Sequence, residues 1–305
     1  MINSFGEIVK HARERSPKTI AVAVAQDAEV LTAVTKAQER GIAKAVLVGD
    51  KQGIQGIAKE IGLDIKGFEI IDEPDKSEAC RKAVELVSSG RADIVMKGII
   101  DTSVILKAVL SDERLRGDNI LSHIGVAEVK GYQRLFIFSD PGMNIAPDLL
   151  QKVQIIENSV QLAKALDNDN PRVAVVCAVE KVNPKMPATL DAAQLVKMNE
   201  EGRIKDCIVG GPFALDNAVS VEAARHKGIN HSVAGNADIL IVPDIEAGNI
   251  LYKSLVYFAG AKCAGLVVGA KVPIVVTSRA DNEEAKLNSI ALAVLLANKK
   301  SGVRI

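Results

Sequence analysis

The chain has no tryptophan, and three tyrosines with six phenylalanines make aromatics only 3% of its 305 residues. Base stacking needs aromatic platforms, so single-stranded nucleic acid is a poor fit. An excess of positive charge is missing as well: 38 lysines and arginines balance 38 aspartates and glutamates, which leaves no global field to hold a polyanion through counterion release. Nucleic acid is therefore not an expected partner, and any anion site has to be local. Long apolar runs are also lacking. The longest is 290–297, far short of the roughly 18 residues that span a bilayer, and Glu7 stands where a secretory signal would carry an apolar stretch. No membrane partner is expected, and the expected location is cytoplasmic. Cys80, Cys177, Cys207 and Cys263 lie far apart with no Cys-x-x-Cys pair, so they read as reduced core thiols. His11, His123, His226 and His231 show no ligand spacing, and no metal site is expected.

Several mechanism-bearing signatures are absent too. There is no GxGxxG after the first apolar run, no GxxxxGK[ST], no HExxH and no GxSxG, which removes the usual support for dinucleotide, P-loop, zincin and hydrolase readings.

What is present is an ordinary globular balance, 48% hydrophobic and 25% charged, in a strand-helix alternation. The β-branched run 19–25 reads as a buried strand, Asp27 as the cap of a helix to Arg40, and Gly41 as its C′ residue. Strands at 45–48, 68–71 and 94–96 precede helices at 51–61, 76–88 and 102–110 in the same way. Repeated units of this kind require right-handed crossovers and a mostly parallel sheet covered on both faces. The rhythm then changes: 122–129 and 135–138 read as a hairpin around Gly131, a long helix covers 148–166, and strands follow at 173–176, 207–209, 239–242, 265–268 and 274–277. The final helix, 282–298, ends on Lys299 and Lys300, which suit its negative pole. The expected fold is α/β, two α/β domains with mostly parallel sheets flanked by helices and an interdomain active-site cleft. The expected boundaries are 1–138 plus 282–305 for the first domain and 139–281 for the second.

Ligands of parallel α/β sheets bind where strands end and helices begin, and five polar clusters occupy such places. They are Lys97-Gly98 with Asp101, Thr102 and Ser103; Ser139-Asp140-Pro141-Gly142-Met143-Asn144; Glu180-Lys181 with Asn183-Pro184; Pro243-Asp244 through Asn249; and Thr277-Ser278-Arg279 with Asp281. Each has a structural reading as well. Asp101 and Thr102 serve as a helix cap, Asp140-Pro-Gly as turn chemistry, Asp244 as a partner of a helix dipole and Glu180-Lys181 as a solvated pair. Thr277-Ser278-Arg279, directly after the apolar strand, is the least decorative, because an arginine there offers a fixed fork to phosphate or carboxylate.

At these clusters the chain resembles the phosphate acetyltransferase and butyryltransferase family, and more closely its butyryl-type branch. The resemblance is carried by ADIVMKGIIDTSVILKAVL (92–110), FSDPGMN (138–144), PDIEAGN with Ile250, Tyr252 and Lys253 (243–253), and VPIVVTSRADNEEAKLNSIALA (272–293). It implies reversible transfer of a short-chain, butyryl-like acyl group between coenzyme A and inorganic phosphate, with no required cofactor, in a homodimer or higher homo-oligomer. The family's serine-arginine pair falls on Ser278, which would stabilise charge on the acyl oxygen, and Arg279, which would hold phosphate. A further family cation falls on Lys107. Acetyl-type members carry an aspartate seven residues after the serine as the base for the thiol, and Ala285 stands there; Asp281, four residues earlier, is the candidate in its place. Read structurally, Asp281 is instead the N-cap of the final helix, with Glu284 completing a capping box. The expected catalytic residues are thus Ser278, Arg279 and Asp281. The expected substrate-binding residues are Lys97, Thr102, Ser103, Lys107, Asp140, Asn144, Asp244 and Asn249. Two alternatives remain beside this reading: an acyl-coenzyme A sensor without catalysis, suggested by Ala285, and a metal-dependent dehydrogenase of related architecture, which would need an aspartate cluster and a nicotinamide site.

Overall fold

A computed structural model describes residues 1–277 and 282–301. The chain divides into two compact units, Phe5–Asp118 with Ala264–Ile305 and Met1–Ser4 with Asn119–Cys263.

The first unit opens on α1 (Phe5–Glu14) and then alternates β1 (Lys18–Ala23), α2 (Ala28–Glu39), β2 (Ala43–Gly49), α3 (Lys51–Glu60), β3 (Glu69–Asp72), α4 (Lys76–Ser88), β4 (Ile94–Lys97) and α5 (Thr102–Ser111). Strands form where small and β-branched residues run together: every residue from Ile20 to Ala25 is buried, as both faces of a covered parallel sheet require. Helices begin on aspartates, with Asp27, Asp50 and Asp75 accepting the N–H of Val30, Gln52 and Glu78. The second unit contains β5 (Ser122–Glu128), β6 (Leu135–Ser139), α6 (Leu149–Ala165), β7 (Arg172–Val176), α7 (Pro187–Glu200), β8 (Ile208–Phe213), α8 (Leu215–Val219), α9 (Val221–His226), β9 (Ile239–Ile241) and α10 (Ile245–Tyr257). The chain then continues through β10 (Lys262–Val268), in which the boundary falls, to β11 (Ile274–Val275) and α11 (Glu283–Ser301).

In the first unit the strand order is β3-β2-β1-β4-β11-β10, parallel except for the antiparallel β10–β11 pair. In the second it is β5-β6-β9-β7-β8, parallel except for the β5–β6 hairpin. The α/β class and the hairpin are as expected. The division of the chain differs from the expected boundaries at both ends, and pairing explains why. Strand β6 runs beside β9 from Ile137↔Ile239 to Ser139↔Ile241, which binds the hairpin into the second unit. Strand β11 runs beside β4, which returns it to the first.

The middle of helix α11 is apolar on all sides, and Ile290 through Leu296 are each at most 3% exposed, the pattern of a helix enclosed by its own unit. Its first turns are tied to α2 by Lys36–Glu283 at 2.6 Å and Lys286–Glu29 at 2.5 Å. Helices α1 and α7 to α9 escaped the sequence reading, because their apolar positions are few and their stretches are short or mixed.

All four cysteines are free and buried. Burial pushes the Cys80 and Cys177 thiols up to about 11 and the Cys207 thiol to about 12, and the thiolate is the reactive form. At pH 8 in the folded protein, an alkylating reagent should leave these three untouched, and all four should react once the chain is denatured. Native labelling of Cys80, Cys177 or Cys207 at the rate of an exposed thiol would show the core to be open.

Candidate active site

The strand order of the first unit creates a switch point between β1 and β4, since the chain leaves β1 on one side through β2 and β3 and returns on the other. Crevices outside the carboxyl ends of such strands are where ligands bind in open parallel sheets. Here the two strand ends are sewn together: Gly98 N donates to Ala23 O at 2.8 Å and Ile99 N to Val24 O at 2.9 Å. Val24 takes a φ of 56°, uncommon for a β-branched residue. A Cβ on Gly98 would sit 2.1 Å from the Val24 carbonyl oxygen, so only glycine permits the approach.

Lys97, the last residue of β4, is 7% exposed, and its Nζ donates to Gly98 O at 3.2 Å and Ile100 O at 3.1 Å. Its ammonium therefore shapes the turn that leads into α5. Asp101 occupies the N-cap of α5 but makes no side-chain cap hydrogen bond, so its carboxylate does not close off the first helical amides. Thr102 is half-buried, while Ser103 and Lys107 are exposed. Ser103 and Lys107 are four residues apart and so share a face. That face carries a hydroxyl and a cation beside the positive pole of the helix, which is an arrangement suited to phosphate.

Strand β11 lies on the other side of β4, with Ile274 level with Val95 and Val275 with Met96. Continuing that register brings the chain to Thr277, 7% exposed, at the same sheet edge as Lys97. Ser278, Arg279 and Asp281 lie outside the described residues; the residues that bracket them, Thr277 and Asn282, are described. The Oδ1 of Asn282 accepts the N–H of Ala285 at 2.9 Å, and α11 begins at Glu283, so Asn282 serves as an N-cap of the helix.

The second unit gathers the other expected residues at the ends of β6 and β9. The Ser139–Asp140 peptide is cis. Asp140, 2% exposed, accepts five hydrogen bonds: Gly142 N at 2.8 Å and Met143 N at 2.9 Å on Oδ1, and His123 N at 3.0 Å, Asn144 N at 3.3 Å and Asn144 Nδ2 at 2.6 Å on Oδ2. The Nδ2 of Asn144 also donates to Leu121 O at 3.0 Å. Asp244 caps α10 by accepting Ala247 N at 2.8 Å, and the exposed Asn249 reaches Pro141 O at 3.3 Å. Gly248 brings α10 against this turn so closely that a Cβ would lie 2.5 Å from Asp140 O. The structure thus assembles Asp140, Asn144, Asp244 and Asn249 into one corner, where the two carboxylates are engaged in forming the corner itself. Glu180, from the remaining cluster, pairs with Lys227 at 3.2 Å, and its carboxyl is held below its usual range by its own backbone N–H and by that lysine.

Sequence reading passed over His123 and Gln26. His123 lies on β5, paired with the end of β6, and its backbone brackets the corner: its N–H goes to Asp140, and its carbonyl accepts from Ser139 Oγ at 2.8 Å. Its signal would have been the β5–β6 register. Gln26 follows β1, and its Oε1 is buried with no hydrogen-bond partner among the described residues; the rule for switch points would have found it. Among the described residues no group of three or more His, Cys, Asp or Glu side chains is placed to hold a metal ion.

Comparison with known proteins places the chain in a family. Residues 4–81 and 75–294 match the family described as phosphate acetyl/butaryl transferase. The chain belongs to this family. It is 51% identical to a phosphate butyryltransferase of Clostridium acetobutylicum over 98% of this chain and 100% of that one. It is 50% identical to a phosphate acetyltransferase of Thermotoga maritima over 95% and 99%. Among solved structures, a branched-chain phosphotransacylase from Enterococcus faecalis V583 is 33% identical with a TM-score of 0.80, covering 92% of this chain and 99% of that one.

The corner yields a prediction. Replacing Asp140 with asparagine removes acceptor capacity from a buried group that serves five donors, and leaving buried donors unpaired costs about 1–3 kcal/mol. Gly248→Ala should cost a similar amount through the clash with the Asp140 carbonyl. Urea unfolding should show both losses, and an unchanged midpoint in Asp140→Asn would mean that the five hydrogen bonds do not hold the corner.

Proposed function

We propose that this protein transfers a short-chain acyl group reversibly between coenzyme A and inorganic phosphate, releasing or consuming an acyl phosphate. It is a phosphate acyltransferase of the butyryl-like kind. The observation that carries the reading is end-to-end identity at 51% to a phosphate butyryltransferase, in a chain whose β4–α5 junction presents a hydroxyl and lysine face beside an open helix N-terminus.

The chemistry assigns a task to each residue. A thiol has a reference pKa near 8.5, so at pH 7 only about a few per cent is thiolate and a base must assist. Asp281 is that base. In the direction of acyl-coenzyme A synthesis, the thiolate sulfur attacks the acyl carbonyl carbon of the acyl phosphate. Charge grows on the carbonyl oxygen, where a preorganised donor is worth on the order of 3 kcal/mol; Ser278 Oγ supplies it. The bond from the carbonyl carbon to the phosphate oxygen then breaks, and phosphate departs with the electron pair. Arg279 holds the phosphate through its fork, and Lys107 with the α5 N-terminus adds charge. In reverse, a phosphate oxygen attacks the thioester. No electrons change hands, so the reading needs no redox cofactor and no metal. The protein works in the cytoplasm as a homodimer or higher homo-oligomer, and Ile250 and Tyr257 of α10 with Phe258 just after it, 67–91% exposed, give a second copy an apolar surface to cover.

The identity of about one half to both a butyryl and an acetyl enzyme leaves the chain length to the apolar lining, where one methylene is worth about 1–3 kcal/mol. Incubation with butyryl-coenzyme A and phosphate should release free thiol and acyl phosphate. Binding without thiol release would instead support the sensor. Arg279→Ala should raise the phosphate KM and lower kcat by about tenfold or more, whereas unchanged phosphate kinetics would remove Arg279 from the site. Asp281→Asn should slow thiol attack and flatten the acid limb of the rate profile, and full activity would place the base elsewhere.

A further inference from the structure

A second cavity in the first unit, of about 520 Å³, lies away from the carboxyl edge of the sheet. Its walls come from the end of α4 (Ser88, Ser89), the segment before β4 (Asp93), the turn after α5 (Arg114), the β10–β11 connection (Lys271) and the last turn of α11 (Lys300). The volume suits a small ligand.

Lys300 is the unusual member. Its Nζ donates to Ala270 O at 2.8 Å, and no carboxylate of the described residues forms an ion pair with it. The charged groups that share the cavity are already committed or cationic. Asp93 serves Lys18 at 3.3 Å and Thr19 N at 2.9 Å, Arg114 is clamped on Asp112 at 2.8 Å, and the exposed Lys271 adds a second positive charge that no carboxylate of the described residues pairs with. An amine is thus held in a pocket whose walls carry cations able to attract a small anion.

We propose that Lys300 is a site of self-acylation by the acyl phosphate this enzyme makes. The neutral Nζ attacks the carbonyl carbon, and the carbon–oxygen bond to phosphate breaks. Inorganic phosphate leaves with the electron pair, the amine proton passes to phosphate or water, and an Nε-acyl-lysine remains. Lys271 holds the phosphate end while the amine reacts. The source of the reagent, though not the reactivity of the site, rests on the function proposed above. Burial supports the step by lowering the Lys300 pKa to about 8, so that near pH 8 about half of it is neutral, against under about 1% of an ordinary lysine; desolvated lysines are nucleophiles for this reason.

The test adds butyryl phosphate directly to the purified full-length chain and follows each lysine by peptide mass spectrometry. Lys300 should acylate about tenfold faster than the exposed Lys59 and Lys205, its rate should rise through about pH 8, and added inorganic phosphate should protect it. Lys300→Arg should abolish the fast adduct while leaving the slow ones. Labelling of Lys300 no faster than Lys59 and Lys205 overturns the proposal, and so does equal labelling by butyryl-coenzyme A alone without phosphate, which would make the thioester the donor. Fast labelling by added butyryl phosphate, with none from butyryl-coenzyme A plus phosphate, would support the site and sink the proposed activity instead.

Discussion

The close backbone approach at Gly98 governs the first unit. Two amides donating to the last carbonyls of β1 fix where β4 ends and α5 starts, and a methyl group at Gly98 would abolish the fit. With that turn in place, Lys97 caps its carbonyls, the amides of α5 face outward from the sheet edge, and β11 delivers Thr277 beside them. None of these placements depends on a metal or a disulfide. They follow from hydrogen bonds at a strand end, where each unpaired buried group would cost about as much as a lost bond.

The second unit uses the same edge differently. Its turn after β6 is organised by a buried carboxylate that gathers the backbone around itself, and α10 presses on the turn through Gly248. Asp140 therefore shapes the surface that Asn249 and the amides of 142–144 present, and its carboxylate serves as a scaffold for the turn. Two parallel strand ends thus arrive at local rigidity by different means, one by glycine contact and the other by carboxylate bonding.

Much of this was legible in the sequence. The alternation of β-branched runs with capped amphipathic stretches announced the α/β class, and the polar clusters at 97–103 and 139–144 were read at strand ends, where the structure has them. The motif at 138–144 was visible as turn chemistry, but the five donors on Asp140 were not, because three are the turn's own backbone amides, one is the Asn144 side-chain amide and one comes from His123, seventeen residues away. Domain boundaries were missed for a related reason. Pairing of β6 with β9 and of β11 with β4 joins segments about a hundred residues or more apart, and no local pattern encodes which strand will be a neighbour. At the start of α11, Asp281 and Asn282 are both good N-cap residues by type, and the bond that marks Asn282 as a cap, to Ala285 N, is not legible in the sequence.

That one position bears on the chemistry. A carboxylate that caps a helix spends its lone pairs on backbone amides and is drawn toward the positive pole, both of which favour the charged form and weaken it as a base. With Asn282 in the cap, the amide oxygen satisfies Ala285 N at 2.9 Å without spending a carboxylate. The sequence then keeps one acid, Asp281, between the serine-arginine pair and the helix, in a segment where the family's usual aspartate is replaced by Ala285. Under the proposed mechanism, the acid at 281 takes the place of the one that Ala285 lacks. A catalytic base can move along a short connection provided that its new position is not already committed to holding the helix.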